Sequence, residues 1–263
     1  MKKTIIIVSA IAFLFSCSKE NLVNNESFSE VKAEIVQTNP DVKVLIGEKD
    51  KDGKYPLTWS EGDGIYAMTS TPTTKDKYFT STVNPASVGT QIGYFPYPAG
   101  EDITTMIAVH GGTIKNNGSD KYTHWTSKTD FKVTCDVPAN QDAFTVPMYA
   151  KYVDGSLKFH PAAAIIKFIN IPKGFTKVTC GSMSCRFSID SKGVISFENY
   201  TGTPTKNNLD ENPYMAVLPG ERNQFTVTIT NPKNSKAKNY TVAKRTLDAG
   251  KVYTLDCTKF DDI

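Results

Sequence analysis

Cys17 is the residue whose type and position point most directly to chemistry. It follows a basic start, Met1-Lys2-Lys3, and an almost wholly apolar run from Thr4 to Phe15. A basic segment, a short apolar segment and a small residue before the cut are typical of a bacterial secretory signal. A cut between Ser16 and Cys17 would leave the thiol on the first mature residue. The apolar run is too short to span a bilayer.

The segment Leu14-Phe15-Ser16-Cys17 resembles the lipobox of bacterial lipoproteins. This resemblance implies that the Cys17 thiol receives diacylglycerol and that the new amine receives a third acyl chain. Two membrane-binding groups are enough for stable anchoring, and this protein would carry three acyl groups. The mature protein is therefore expected to stay tethered to a membrane. The alternative is a plain signal, or a short hydrophobic helix, with an incidental cysteine.

The three histidines offer no recognisable catalytic arrangement. His110 is predicted to end an apolar strand before a glycine turn, and His160 is expected to pack beside Phe159. His124 lies in a polar stretch without a partner nearby. No Gly-x-Ser-x-Gly elbow is present, so no activated nucleophile is evident. The sequence therefore predicts a protein that is not an enzyme and that carries no cofactor.

Two clusters of carboxylates also have a simpler explanation than chemistry. Glu61 and Asp63 could pass for the pair of a glycosidase, but they flank Gly62 and are expected to lie in a tight turn. Asp50-Lys-Asp-Gly53 has its glycine too early for a calcium-binding hand loop, and a hairpin turn is preferred. No metal site is predicted.

Four cysteines remain after Cys17, namely Cys135, Cys180, Cys185 and Cys257. In an exported protein they could form two disulfides, and Cys180 and Cys185 are close enough in sequence for a local bridge. Buried free thiols are the alternative, because a chain of this size does not need staples. Both alternatives stay open. The histidines show no ligand-like spacing with these cysteines, which argues against zinc.

Composition excludes one class of partner. The chain has 263 residues, and removal of residues 1–16 would leave 247 residues with 28 basic and 27 acidic side chains. A nearly neutral chain with only three arginines is not built to bind nucleic acid by counterion release.

The rest of the chain reads as strands separated by turns. The runs Val31–Val36, Val42–Ile46, Ala164–Ile171 and Gln224–Thr230 have the composition or alternation of β-strands. No long stretch shows a 3.6-residue period, and the 14 prolines and 17 glycines favour β-sandwiches. We expect a signal peptide at 1–16, a flexible stalk at 17–30, and two β-sandwiches at 31–148 and 149–263.

Two aromatic residues lie in a polar stretch rather than in a predicted strand. Tyr122 and Trp125 fall between Lys115 and Lys128. Exposed aromatic rings could stack on sugar rings, so a glycan-binding surface lipoprotein is the alternative function. Packing in the core is the other explanation for the aromatic residues.

Several motifs in a fixed order resemble the fimbrillin-type lipoproteins. The order is a Trp-x-x-Gly-Asp strand pair, a Tyr-Pro-Tyr segment, a Phe-x-His-x-x-Ala strand and a closing Ala-Gly-Lys-x-Tyr-Thr. The five segments of this chain that carry the resemblance are Trp59-Ser-Glu-Gly-Asp63, Gly93-Tyr-Phe-Pro-Tyr97, Val146-Pro-Met-Tyr-Ala150, Leu157-Lys-Phe-His-Pro-Ala-Ala-Ala164 and Leu247-Asp-Ala-Gly-Lys-Val-Tyr-Thr-Leu255, in which Phe159 directly precedes His160 and Phe95 stands between Tyr94 and Pro96. Together with the lipobox they span nearly all of the mature chain.

The resemblance implies an all-β protein with two tandem transthyretin-like β-sandwich domains. It implies a fimbrial subunit, an anchor, a tip protein or a free-standing adhesin, held by lipid in the outer membrane at the cell surface or in a fimbrium. Its partners would be other fimbrial subunits or surface ligands of host or bacterial cells.

In the resembled family a protease removes the first strand, and a strand of the next subunit takes its place. Processing after an arginine does not fit this chain, because no arginine occurs before Arg186. Lys43, Lys49, Lys51 and Lys54 could serve a lysine-specific protease instead. An uncleaved chain would keep its lipid and act as an anchor or adhesin.

Overall fold

The structure is a computed structural model that describes residues 29–36, 57–114, 123–181, 184–199 and 202–263. These residues form 21 β-strands and three short 3-10 helices, and they contain no α-helix. The all-β class predicted from the sequence is confirmed. In the part of the chain that is described, no helix is long and apolar enough to cross a membrane.

The strands are short and follow one another closely along the chain. Those before residue 155 are β1 Ser29–Ile35, β2 Gly64–Met68, β3 Phe79–Thr82, β4 Ile92–Tyr97, β5 Ile107–His110, β6 Thr123–Ser127, β7 Asp130–Asp136 and β8 Met148–Val153. Those after it are β9 Ser156–Pro161, β10 Ala164–Ile169, β11 Lys177–Cys180, β12 Cys185–Asp190, β13 Ile195–Asn199, β14 Thr205–Lys206, β15 Tyr214–Val217, β16 Gly220–Arg222, β17 Phe225–Asn231, β18 Lys236–Val242, β19 Arg245–Leu247, β20 Val252–Asp256 and β21 Asp261–Asp262. The 3-10 helices are Pro85–Ser87, Ile103–Thr105 and Cys257–Lys259.

The largest sheet has seven strands in the order β3-β2-β5-β8-β9-β1-β4. Neighbouring strands are antiparallel except β1 and β9, which are parallel. Beyond β3, the backbone N–H of Asn84 donates to the carbonyl of Tyr94 in β4 at 2.8 Å. This bond brings the two ends of the sheet together, so the sheet curls around a core that contains Trp59.

A four-stranded sheet, β13-β12-β7-β6, packs against β2 and β5 of the large sheet. Its apolar side chains, among them Val133, Phe187 and Ile189, are fully buried in the same core cluster as Trp59. Packing of one face of each sheet buries the alternating apolar residues of both, as expected for a β-sandwich.

The remaining strands form a second sandwich with its own core. A three-stranded sheet, β15-β10-β20, faces a five-stranded sheet, β14-β11-β17-β18-β21, and β16 pairs with β19. Ile166 and Phe168 of β10 share one buried cluster with Val227 and Ile229 of β17. The sequence predicted both of these strands, from the dense apolar run and from the clean alternation.

The boundary predicted at residues 148/149 is not where the sheets divide. Strand β8 begins at Met148 and crosses this boundary, and β9 lies after it, but they pair with β5 and β1 in the seven-stranded sheet. The hairpin β12–β13, much later in the chain, pairs with β7 in the first sandwich. Hydrogen bonding and core packing between distant segments place these strands, and neither leaves a mark in the local sequence. The stalk predicted at 17–30 overlaps β1, because β1 begins at Ser29.

Candidate functional site

The first described strand, β1, lies inside the seven-stranded sheet. It pairs antiparallel with β4, where Ala33 is opposite Gly93, and parallel with β9, where Ala33 is opposite Leu157. At its end, the N–H of Ile35 donates to the carbonyl of Gln91 at 3.0 Å, and the N–H of Val36 donates to the carbonyl of Phe159 at 2.8 Å. Strand β1 therefore uses hydrogen-bonding groups on both of its edges.

The inner face of β1 belongs to the core of the first sandwich. Val31, Ala33 and Ile35 are buried, and they alternate with residues that are only partly covered. This period of two is the pattern of a strand with one face in a core. Together the three side chains form one wall of the cluster around Trp59.

The centre of this core is filled by aromatic rings. The ring of Trp59 meets Phe95 edge to face at a centroid distance of 5.0 Å and Phe159 at 5.2 Å. It also covers Gly93, because a Cβ placed on Gly93 would lie 2.7 Å from Nε1 of Trp59 and 3.0 Å from Phe95. Ala33, directly opposite Gly93, is completely buried at this level. The site therefore accommodates small residues at positions 33 and 93.

The outer face of β1 carries charges that are paired with the neighbouring strands. Glu34 accepts a hydrogen bond from Lys158, its partner in β9, and Lys32 Nζ lies 2.5 Å from the same carboxylate. Hydrogen bonds from Lys158 and Lys32 lower the pKa of Glu34 to about 2. The amide of Asn84 donates to Glu30 at 2.8 Å. Glu30 and Glu34 thus each contact a residue that belongs to another segment of the first sandwich.

The chain leaves and re-enters this site at neighbouring points. It passes beyond the described residues after Val36 and returns at Leu57, and the N–H of Trp59 donates to the carbonyl of Thr90, next to Gln91. The four lysines predicted as processing sites, Lys43, Lys49, Lys51 and Lys54, lie in this interval and outside the described residues. A cut there would separate β1 from the rest of the first sandwich in sequence.

Two other predicted site residues, Cys17 and Tyr122, also lie outside the described residues. Trp125 is in β6, partly buried against the first core. Lys77 Nζ sits 5.3 Å from the centre of the Trp125 ring. Because the Lys77 ammonium already lies over the ring, the contacts of Trp125 do not support sugar stacking at this residue.

Cys180 and Cys185, which were predicted as a candidate bridge, are free and buried, as are Cys135 and Cys257. Of the two alternatives left open by the sequence, the structure describes buried thiols. Burial raises the pKa of Cys180 and Cys185 to about 12. Because the thiolate is the reactive form, these cysteines are inert in the folded chain.

His110, at the end of β5, is a buried structural residue. Its Nδ1 lies 2.8 Å from the carbonyl of Gly64, and its Nε2 lies 3.9 Å from Asp63. Burial lowers the pKa of His110, so the ring is neutral near pH 7 and Nδ1 is the atom that can donate to a carbonyl. Beside it is a cleft of about 520 Å³ that contains Asp63 and the glycine turn. The histidine bonds to a backbone carbonyl rather than to a nucleophile.

The tight turn predicted around Gly62 is present in the structure. The Asp63 carboxylate accepts from the N–H of Ser60 at 2.7 Å, and Gly62 has a φ of 82° that favours glycine. Among the residues described, no group of three His, Cys, Asp or Glu side chains could hold a metal ion.

Two buried cations, Arg186 and Lys206, were not predicted from any sequence pattern. Arg186 of β12 donates from Nε to Asp136 of β7 at 2.5 Å and from its terminal nitrogen to the same carboxylate at 3.1 Å. Lys206 is completely buried, and burial lowers its pKa to about 8. Its ammonium donates to the carbonyl of Asp142 and to Asn208 at 3.3 and 3.4 Å. Asp136 is 50 positions from Arg186 and Asp142 is 64 positions from Lys206, so these two contacts leave no local pattern.

The partners of β1 were likewise hidden from the sequence. Lys158 is 124 positions from Glu34, and Asn84 is 54 positions from Glu30. The sequence shows charged residues at alternate positions of β1. This pattern indicates an exposed face but does not identify the residues that pair with it.

Comparison with known proteins finds no matching family model and no matching curated protein. Solved structures are similar at low identity. A protein assigned to cell adhesion from Parabacteroides distasonis has 12% identity and a TM-score of 0.40, with 89% of this chain and 90% of that chain covered. One from Bacteroides fragilis has 11% identity and a TM-score of 0.39, with coverage of 87% and 92%. A fimbrial assembly protein from Parabacteroides distasonis has 9% identity and a TM-score of 0.39, with coverage of 87% and 90%. Likeness at this level carries no functional conclusion, which has to come from the contacts of the chain itself.

Proposed function

We propose that this chain is a non-catalytic surface lipoprotein of the fimbrillin type, acting as a fimbrial subunit, anchor or tip adhesin, and that β1 is its exchangeable strand. The observation that carries the proposal is the position of β1. It is the first described strand, it lies between two neighbours, and it contributes three core residues. It is also preceded by the lipobox-like segment and followed by four lysines before the next described residues.

Loss of β1 would create a binding site for another strand. The facing edges of β4 and β9 would expose unpaired N–H and C=O groups, and the space of Val31, Ala33 and Ile35 would be empty. An extended segment that adds to such an edge supplies main-chain hydrogen bonds, and the pockets give specificity. The fragment removed by cleavage after one of the lysines would carry both β1 and the lipidated Cys17. Cleavage would thus release the body from the membrane at the step that opens the groove.

Without cleavage the same chain would remain an anchor or adhesin. In that form β1 stays in place, its edges stay paired, and the chain is held to the membrane by the lipid on Cys17. One fold would then support both states, and the state would depend on whether the segment between Val36 and Leu57 is cut.

The test is surface proteolysis of whole cells with mass-spectrometric mapping of the mature N-terminus. We expect diacylated Cys17 on the uncleaved form, and a new N-terminus after Lys43, Lys49, Lys51 or Lys54 on species of high mass. Replacement of these four lysines by glutamine should abolish the high-mass species. The matched control replaces four exposed lysines of the body, Lys75, Lys128, Lys192 and Lys233, and should leave them unchanged.

Two results would contradict the proposal. A mature chain without lipid on Cys17 would remove the lipoprotein assignment. High-mass species that retain residues 29–36 of their own chain in place, or that survive the four lysine replacements, would remove β1 as the exchanged strand.

A further inference from the structure

We propose that His110 and Asp63 form a binding site for a primary ammonium group, and that the ligand the site fits is a lysine side chain of a partner protein. The proposal goes beyond strand exchange and requires no cleavage of the chain. Both residues line the cleft of about 520 Å³ and also a smaller cavity of about 310 Å³. Both volumes fall within the roughly 300–1,000 Å³ of typical small-ligand sites.

His110 has one ring nitrogen that the fold does not use. Its Nδ1 lies 2.8 Å from the Gly64 carbonyl, which can only accept, so Nδ1 carries the proton and Nε2 of the neutral ring carries a lone pair. Within the described ranges, no residue donates a hydrogen bond to Nε2. The side chain is only 5% exposed. A hydrogen bond to an acceptor in so buried a position is electrostatically stronger than one in water.

Asp63 supplies a second acceptor at the same place. One carboxylate oxygen accepts from the N–H of Ser60 at 2.7 Å, and the other, Oδ1, lies 3.9 Å from Nε2 of His110. Oδ1 receives no hydrogen bond from the part of the chain that the structure describes. Two acceptors do not bond to each other, so the pair is complete only when a donor lies between them. A nitrogen about 2.9 Å from each atom fits there.

The two acceptors select the class of donor. A hydroxyl has one proton and serves one acceptor, whereas an ammonium has three protons and serves both. The donors of a guanidinium are spread over a planar fork, which suits the two oxygens of one carboxylate better than two atoms that converge on one point. Asp63 also carries negative charge, Glu61 lines the smaller cavity, and the described residues that line the two cavities include no lysine or arginine.

The smaller cavity offers an apolar wall for the stem of the ligand. Leu57, Val146 and Met148 line it, and all three are buried. A lysine side chain has an aliphatic stem behind its ammonium, and such stems pack along apolar surface. An amino sugar carries hydroxyl groups on its ring carbons and would leave them unpaired against this wall. The site therefore fits a lysine side chain better than an amino sugar.

Lys206 is buried near this site but does not occupy it. Its ammonium lies 5.9 Å from the centre of the Phe144 ring, and Phe144 lines both cavities. The ammonium donates to the carbonyl of Asp142 and to Asn208 at 3.3 and 3.4 Å. Lys206 therefore uses other acceptors and leaves the His110–Asp63 pair to a ligand.

The test measures binding of small lysine analogues to the uncleaved chain by NMR at pH 7. The probes are Nα-acetyl-lysine methylamide, its Nε-acetylated form, the norleucine equivalent and glucosamine. The norleucine probe keeps an apolar stem without the amine, and glucosamine keeps an amine without that stem. The amide signals of residues 62–64 and the ring nitrogens of His110 report occupancy of the site.

We expect the lysine probe to shift these amide signals and the Nε2 signal of His110 while the ring stays neutral. The other three probes should bind at least about tenfold more weakly, because each lacks either the charge or the stem. Asp63→Asn should weaken binding of the lysine probe at least about tenfold, since it removes the charge but keeps an oxygen that can accept from Ser60.

Asp130→Asn is the matched control. Asp130 lies 4.0 Å from Nε2 of His124 in a more exposed pair, and neither residue lines either cavity. This replacement should leave binding of the lysine probe unchanged. Urea unfolding shows whether both variants are folded, and if Asp63→Asn is not, the four probes on the native chain decide.

Each contrary outcome removes a stated part of the proposal. No shift with any probe would overturn the site. Equal binding of the norleucine and lysine probes would remove the ammonium as the recognised group, and tighter binding of glucosamine would replace lysine by an amino sugar. Unchanged binding to a folded Asp63→Asn chain would place the lysine probe elsewhere. Strand exchange stands or falls separately, on the replacement of the four lysines between Val36 and Leu57.

Discussion

At the scale of single residues, Glu34 links pH to the stability of the first sandwich. Its pKa falls from the ordinary value of 4.5 to about 2 because Lys158 and Lys32 donate to the carboxylate. A carboxylate with a lowered pKa stabilises the fold above the pKa of the unfolded chain. This contribution is lost as the pH falls from about 4.5 through 2.

We predict that Glu34→Gln lowers the free energy of unfolding by up to about 1 kcal/mol at pH 7, a small effect because the pair is partly exposed. The difference from the native chain should shrink below pH 4.5 and disappear near pH 2. Urea unfolding at a series of pH values measures it. The exposed Glu61→Gln serves as the control, and a difference between Glu34→Gln and the native chain that is constant with pH would contradict the ion-pair explanation.

The contact between Trp59 and Gly93 gives a second prediction. Gly93→Ala should destabilise the chain by about 1–3 kcal/mol, because the new Cβ would lie 2.7 Å from the indole. Gly64→Ala is the matched control in a strand, since its Cβ would meet only the Ser81 carbonyl at an ordinary 3.5 Å. Thermal and urea unfolding compare the two variants. Equal effects would show that the indole does not limit the space at this position.

The buried cysteines give a third prediction at this scale. In a chain with Cys17→Ser, we expect no reaction of the four remaining thiols with a thiol reagent under native conditions, and four equivalents after denaturation without reductant. Two equivalents in denaturant would reveal a disulfide, and peptide mapping would show whether it joins Cys180 to Cys185. A fully reduced, denatured sample calibrates the count.

At the scale of elements, the β12–β13 hairpin is tied to β7 by a buried ion pair. Asp136→Asn should cost about 3–5 kcal/mol, because it leaves the buried guanidinium of Arg186 without the charge that compensates it. Glu198→Gln is the control, since that carboxylate is 59% exposed and lies 4.0 Å from Arg186. Urea unfolding measures both, and similar small losses would indicate that water or another group solvates the guanidinium.

The sequence identified individual strands better than it identified their neighbours. Alternation located β17, and a dense apolar run located β10, because burial of one or both faces sets the spacing of apolar residues. The sequence could not show that β12 lies beside β7, because the two strands are joined by hydrogen bonds between residues about fifty positions apart. The family resemblance implied only that the first strand is replaced by a strand of another subunit, and the neighbours of β1 are defined by the structure.

At the scale of the whole molecule, the predicted division into 31–148 and 149–263 has a direct test. We expect the fragment 31–148 not to fold, because it lacks β8, β9, β12 and β13, which complete both sheets of the first sandwich. Far-ultraviolet circular dichroism and amide chemical-shift dispersion compare it with the chain from residue 29 to 263. A cooperatively unfolding fragment would restore the predicted boundary.

Only part of the candidate site could be predicted from the sequence. The lysines between Val36 and Leu57 and the lipobox-like segment are read directly from the sequence. The Lys158 and Trp59 contacts are not, because they depend on how the sheet curls and on which strand lies next to β1. Contacts between segments that are distant in the sequence follow from topology, which local periodicity does not specify.

The pairing of β1 on both edges also has a mechanical consequence. A pull on the N-terminal end of β1, as from a lipid in a membrane, would act along the strand. The hydrogen bonds to β4 and β9 lie across that direction, so the load would be shared by both ladders in shear rather than opening them one bond at a time. The strand proposed to exchange would then also bear tension if the chain were anchored through its N-terminus.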